Sequence, residues 1–281
     1  MDIYYIDGQY VPADQAVIPV NDLALFRGYG VFDFLRTHDG SPFLLQEHLS
    51  RLKHSAKEIG LRFPWTLSEL KEIVMNTVTK NSYRNANVRI IVTGGPSRDF
   101  ITPDGKPRLL VIVSPVSALP ESWYSEGIKA IIIPLERTMP EAKSINYLDA
   151  TMALKKAKQQ GAVEAVYMDS SDFIKEGTTS NLFAFYKDCL VTPGKNILNG
   201  ITRKVILKIA KPLFKVKINE IKKNKLYEAD EIFITGSGKG LVPVIQVDDV
   251  MIGNGKPGAR TIILMQQLKE YIRKTIPPGN D

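Results

Sequence analysis

The chain has 281 residues, of which 44% are hydrophobic and 24% charged, with a formal net charge of +7. That length fits one large or two modest domains with a sizeable core, and the composition excludes intrinsic disorder. Lys and Arg are spread along the chain, apart from KKNK at 222–225, so the charge reads as solubility first and a preference for anionic ligands second.

IYYIDGQYV at the start predicts a hairpin around Asp7-Gly8, and RGYGVFDFLRTHDGSPFLL adds β-rich pieces around His38-Asp39-Gly40. A helix is expected from Gln46 to Ile59, with Leu49, Leu52, Ala56 and Ile59 on one face and Arg51 on the polar side. A second helix begins at the capping box Thr66-Leu67-Ser68-Glu69. VRIIVT and RLLVIVS read as strands. The Pro-containing SPVSALPESW that follows predicts an interdomain linker over 116–123, between an N-terminal domain at 1–115 and a larger C-terminal domain at 124–281. Beyond it, KAIIIP is a strand and NYLDATMALKKAKQQG a helix stopped by Gly161. AVEAVYM, NLFAFY and DEIFITG read as strands, Thr202 caps a helix through Leu213, and a last helix lies near 258–274. The fold class is mixed α/β (α+β) in two domains.

Several chemistries find no support. His38, His48 and His54 lack the spacing of a zinc helix and read as solvated or helix-surface residues, so no metal is expected. The lone cysteine, Cys189, reads as buried and structural, and suits a reducing cytoplasm. No apolar run has the length of a bilayer crossing and the opening MDIYYIDG lacks a signal-peptide pattern. Without a basic helix and interleaved aromatics, nucleic acid is not an expected partner.

Three features converge instead. Lys143, in PEAKSINYLDA, stands just ahead of a helix carrying Tyr147, where a lysine amine can form a Schiff base with an aldehyde. Glu176 heads EGTTSNLF, where a carboxylate can keep a pyridine nitrogen protonated and the hydroxyls of Thr178, Thr179 and Ser180 can bond around the ring. Gly200-Ile201-Thr202 at a helix start and Thr235-Gly236-Ser237-Gly238 after a strand offer amides to an anion, and Arg51 adds a bidentate charge. Amine, ring partner and phosphate cradle describe a pyridoxal 5′-phosphate site.

RGYGVFD, EHLSRL, KSINYLDA, EGTTSNLF, GITR and ITGSGKGLVPV follow one another from near residue 27 to 244. In this order they resemble the class IV (fold type IV) pyridoxal-phosphate-dependent aminotransferases. The resemblance implies two domains with the active site at their interface, and a homodimer. It implies Lys143 as the cofactor-bonding lysine and acid/base, Glu176 as partner of the ring nitrogen, and Tyr147 on the phenolic oxygen. Arg51, Ile201, Thr202 and Ser237 would contact the phosphate, and Gly238 would meet the substrate carboxylate at its loop. The partners implied are an amino acid and a 2-oxo acid.

Asn146-Tyr147, Phe32 and Gly94 lean towards the branched-chain members, because the D-amino-acid enzymes typically carry leucine after KSI, tyrosine at the second position and arginine at the third. Asp33-Phe34 stands where Glu-Gly is usual, and GSGKG replaces a loop commonly ending in Ala-Glu. Phe34 would add bulk beside the pocket and Lys239 a positive charge, while Arg89 or Arg98 would hold a carboxylate or lie on the surface. The leading expectation is a branched-chain-like L-amino-acid aminotransferase. A D-amino-acid aminotransferase, an aminodeoxychorismate lyase on the same scaffold, and a relative that keeps the cofactor without efficient turnover stay open.

Overall fold

The computed structural model describes residues 1–276. The chain forms two compact units. Unit 1 comprises Met1–Ser117 and Glu141–Tyr147, with Thr275 and Ile276; unit 2 comprises Ala118–Pro140 and Leu148–Lys274. The change of unit at Ser117 falls inside the expected linker. The expected C-terminal domain, whose residues 277–281 lie outside the described ones, included the Lys143 segment, yet that segment groups with unit 1.

Unit 1 contains β1 (Ile3–Ile6), β2 (Gln9–Pro12), α1 (Leu23–Arg27), β3 (Gly30–His38), β4 (Ser41–Pro42), α2 (Leu45–Glu58), α3 (Leu67–Thr79), β5 (Ala86–Thr93) and β6 (Arg108–Pro115). The strands form an antiparallel sheet in the order β2-β1-β6-β5-β3-β4. The β1–β2 turn puts Asp7 at φ 45° and Gly8 at φ 97°, the positive-φ pair whose twist matches the strands it joins. At the start of α3 both arms of the expected capping box form: Glu69 N–H donates to Thr66 Oγ1 at 3.2 Å, and Thr66 N–H donates to Glu69 Oε2 at 2.7 Å. Leu49, Leu52 and Ala56 of α2 and Leu70, Val74 and Val78 of α3 pack on Val31, Leu35, Val88 and Ile90 of the sheet.

Along β3 the core-facing row is Val31, Asp33, Leu35 and Thr37, all buried. Asp33 is the one carboxylate in that row. It is met by His48 and Arg51 of α2, which with Ser55, seven residues beyond His48, form a polar stripe on one helix face. Arg51 and His48 are therefore buried, which corrects their expected place on the solvent side.

Unit 2 contains α4 (Ser122–Ser125), β7 (Ile128–Pro134), α5 (Leu148–Gln159), β8 (Glu164–Met168), β9 (Phe173–Gly177), β10 (Ser180–Tyr186), β11 (Cys189–Thr192), α6 (Ile201–Ala210), β12 (Lys215–Ile218), β13 (Ile221–Lys222), α7 (Lys223–Tyr227), β14 (Glu231–Gly236), β15 (Gly240–Val247), β16 (Val250–Met251) and α8 (Ala259–Thr275), apart from its last residue, which groups with unit 1. The sheet order is β12-β11-β10-β14-β15-β7-β8-β9-β13, with β12 at an edge. A further pairing of β9 with β10 closes β10, β14, β15, β7, β8 and β9 into a ring. Phe183 and Phe233 stack at 4.9 Å between neighbouring strands, a contact worth about 0.5–1.5 kcal/mol beyond the area it buries. Ala153 and Ala157 of α5 pack on Ile131, Ile133 and Ala165.

Three expectations change here. Glu176, at the head of EGTTSNLF, lies inside a strand of its own, β9, ahead of the one expected at NLFAFY, and the two-residue turn Thr178-Thr179 leads into β10 with Asn181 opposite Glu176. The helix expected from Thr202 starts at Ile201, with Gly200 as its cap. Cys189 is only partly buried, on β11.

Candidate active site

Lys143 owes its place to backbone bonds within unit 1. Its N–H donates to Ser55 Oγ of α2 at 3.0 Å, and its carbonyl accepts the Phe32 N–H at 2.9 Å. The Ile145 N–H reaches the Gly30 carbonyl at 3.0 Å, so the segment lies along β3. This closeness requires Gly30, because a Cβ there would stand 2.8 Å from the Val92 carbonyl oxygen and 2.9 Å from Ile145 Cδ1. The Lys143 amine then lies 4.4 Å from the centre of the Phe32 ring and 3.4 Å from the Tyr147 hydroxyl. The Phe32 and Tyr147 rings meet edge to face at 5.4 Å. Tyr147 precedes the helix it was expected to join, which begins at Leu148.

Beneath β3, Asp33 takes a bidentate pair from Arg51, Nε to Oδ2 at 2.9 Å and Nη2 to Oδ1 at 2.8 Å, and meets His48 Nδ1 at 2.7 Å. Burial raises the Asp33 pKa, but Arg51 and His48 outweigh it and hold the carboxyl well below the usual range. Burial, aided by Arg51 and Lys143, pushes the His48 pKa down against the pull of Asp33. Arg51 thus carries a partner that the sequence reading did not give it. Arg89 is exposed, with its guanidinium 5.1 Å from the Phe34 ring. Arg98 is 94% exposed and 3.8 Å from Asp104. Neither is brought to Lys143.

In unit 2, Glu176 is buried and its two oxygens are held differently. Oε1 accepts Arg137 Nη1 at 2.9 Å; Oε2 accepts the Leu198 N–H at 2.9 Å and Asn181 Nδ2 at 3.3 Å. Asn181 also donates to the Leu198 carbonyl at 2.9 Å, which ties Glu176 to the approach to α6. Gly200 caps that helix without a side-chain bond, and a Cβ there would stand 2.0 Å from Asn181 Oδ1. Ile201 and Thr202 follow, both buried. A cleft of roughly 160 Å³ opens beside Glu176 and is lined by Arg137, Pro140, Tyr167, Lys175 and Asn196, among others.

The hydroxyls expected around a ligand ring are committed elsewhere. Thr178, Thr179 and Ser180 all donate to Glu164, a buried carboxylate on β8. Lys239, expected as an added free charge, also bonds Glu164 at 2.9 Å. Ser237 and Gly238 lie in the turn between β14 and β15, and the neighbouring Thr235 Oγ1 is buried with no partner among the described residues.

A family model described as "Amino-transferase class IV" matches residues 30–247. The chain belongs to the class IV aminotransferase family. It is 36% identical over 280 residues to a Methanocaldococcus jannaschii protein named "Putative branched-chain-amino-acid aminotransferase", with 96% of each chain covered. It is 30% identical to the D-alanine aminotransferase of Staphylococcus epidermidis over 276 residues, covering 96% of this chain and 97% of the relative. Among solved structures it is similar to the branched-chain amino acid aminotransferase of Escherichia coli. The TM-score is 0.92 and the identity 28%, with 98% of this chain and 96% of that one covered.

The aminotransferase chain therefore has the fold type IV architecture of a pyridoxal-phosphate-dependent family. Its donors fit that cofactor: an amine beside aromatic rings, a buried carboxylate, a helix start without a side-chain cap, and the unpartnered Thr235 hydroxyl next to a glycine-containing turn. The sequence reading missed Arg137, Asn181, Glu164 and the Asp33–His48–Arg51 cluster. The last left a signal: an Asp in the apolar row of β3, and polar residues at 48, 51 and 55 on the buried face of α2.

Proposed function

We propose that this aminotransferase uses pyridoxal 5′-phosphate to move an amino group between a branched-chain-like L-amino acid and a 2-oxo acid. The observation that carries the reading is the Lys143 amine, held against Phe32 and directed by the Tyr147 hydroxyl. When bound, the cofactor supplies an electron sink for the charge left at the substrate's α-carbon. Lys143 would bond its aldehyde carbon and, once released, carry the proton to and from the α-carbon as general acid and base. Glu176 would hold the ring nitrogen protonated. Arg137 keeps one of its oxygens in place, and Asn181 and the Leu198 N–H hold the other. Tyr147 would bond the phenolic oxygen, and Ile201, Thr202, Ser237, Gly238 and Arg51 would share the phosphate and carboxylate contacts.

The apolar substrate class is supported by Phe32 and Tyr147, and by Gly94. At the position where the D-amino-acid enzymes tend to carry a carboxylate-binding arginine, a Cβ would stand 2.4 Å from Tyr29 Cδ1, so a larger residue would displace that ring. The reading includes a homodimer in the cytoplasm, carried over from the family resemblance and the lone cysteine.

The test is spectroscopic. Purified protein mixed with pyridoxal 5′-phosphate should turn yellow, and Lys143→Ala should remove that band. Titration with L-leucine should convert the bound cofactor to its pyridoxamine form. A protein that stays colourless overturns the cofactor, and conversion by D-alanine but not L-leucine overturns the substrate. Release of pyruvate and aminobenzoate from aminodeoxychorismate would favour the lyase.

A further inference from the structure

Glu164 is fully buried at the first position of β8 and accepts six donors. Oε1 takes the Thr178 hydroxyl, the Thr178 N–H at 3.2 Å and the Ala165 N–H at 3.1 Å. Oε2 takes Ser180 Oγ at 2.8 Å, Thr179 Oγ1 at 3.3 Å and Lys239 Nζ at 2.9 Å. Burial raises the Glu164 pKa, but Lys239 and the hydroxyls outweigh it and hold the group below its ordinary value. A carboxylate this enclosed is tolerated only when its charge and lone pairs are matched.

Lys239 comes from the turn joining β14 to β15, which also carries Ser237 and Gly238. Its Nζ reaches Thr179 Oγ1 at 2.9 Å as well as Glu164, and its carbonyl accepts the Tyr124 hydroxyl at 2.9 Å. The same turn touches the β9–β10 turn a second time, since a Cβ on Gly236 would lie 3.0 Å from the Thr179 carbonyl oxygen. One lysine therefore joins the Ser237–Gly238 turn to the hairpin whose first strand carries Glu176 and whose second carries Asn181.

We propose that Glu164 and Lys239 form a buried latch that sets the Gly236–Gly240 turn against the β9–β10 hairpin and so preorganises it for the cofactor phosphate. Lys239 is then a positioning residue, and its charge is matched inside unit 2 rather than offered to substrate. This rests on the reading that the turn takes the phosphate. A loop held by a charge-assisted bond spends less ordering entropy when its ligand binds.

The experiment compares pyridoxal 5′-phosphate with pyridoxal, which lacks the phosphate, by fluorescence titration of cofactor-free protein, with amide hydrogen exchange over residues 236–240. Lys239→Met should weaken pyridoxal 5′-phosphate about 10- to 100-fold, the range for a hydrogen bond to a charged group. It should leave pyridoxal binding unchanged and speed exchange in the turn, and Lys239→Arg should restore much of both. Glu164→Gln with Lys239→Met should cost no more than Lys239→Met alone, because the two act as one unit. Equal losses for the two ligands would overturn the latch in favour of general structural damage. Unchanged cofactor affinity with a raised KM for the amino acid would overturn it in favour of a substrate contact. If the unaltered protein binds neither ligand, the cofactor reading fails by itself. The exchange data then decide the latch: faster exchange in Lys239→Met sustains it, and unchanged exchange ends it.

Discussion

Asp33 in unit 1 and Glu176 in unit 2 are both buried carboxylates paired with an arginine, yet their surroundings differ. Asp33 is capped by two side chains from one helix, and its arginine is 8% exposed. Glu176 is held by a backbone amide, an asparagine and an arginine that is 23% exposed, beside an open cleft. A sealed pair, held between a helix and a strand, serves to fix one on the other. A pair with one open side keeps its charge anchored while leaving room for a ligand. The contrast separates a carboxylate that holds the fold from one that, under the proposed function, would face the cofactor.

Substitution at each position breaks the comparison if it is wrong. Asp33→Ala leaves Arg51 buried without its partner and should cost about 3–5 kcal/mol in urea unfolding; a loss near zero would mean the pair is not sealed. Glu176→Gln should retain the cofactor and most of the stability while lowering kcat about 10²–10³-fold, the scale of one lost electrostatic contact to developing charge. Stability lost in proportion to turnover would place Glu176 with Asp33 instead.

Acid should reveal the same difference more gently. His48 is held below its ordinary pKa in the folded chain, so the unfolded chain binds its proton first. Stability should therefore be flat above about pH 6.5 and fall as the pH drops below it, and His48→Gln should reduce that slope, the remainder coming from His38, which burial also holds low. The Asp33 carboxyl, also depressed, adds a second loss below about pH 4. Urea midpoints across this range check both. The smallest effect is expected at the α3 cap, where Thr66→Ala should cost about 1 kcal/mol without altering turnover.

Elements whose signals are local were legible in the sequence: the Asp7-Gly8 turn, the Thr66–Glu69 capping box and the apolar face of α2. The family motifs supply Lys143 and Glu176 to the proposed cofactor site. What stayed hidden depends on partners remote along the chain. β9 reads FIKEG, too charged for a buried strand until Lys175 is paired with Asp169 and Glu176 with Arg137. The three hydroxyls after Glu176 read as ligand contacts because Glu164, fourteen to sixteen residues earlier, announces nothing about where its side chain will be enclosed. Lys239, 75 residues from that carboxylate, looked like a free charge for the same reason.

β12 closes one end of the unit 2 sheet order, and its outer edge is a row of backbone groups open to pairing. Its sequence is KVKI, with Lys215 and Lys217 both exposed and Ile218 59% exposed. Two like charges two residues apart point the same way from a strand, so a second copy docking edge to edge would bring four ammonium groups together. The lysines act as gatekeepers for an apolar strand end. Replacing both with threonine would keep the strand and invite fibrous association, a hazard unrelated to transamination but built into the same sheet.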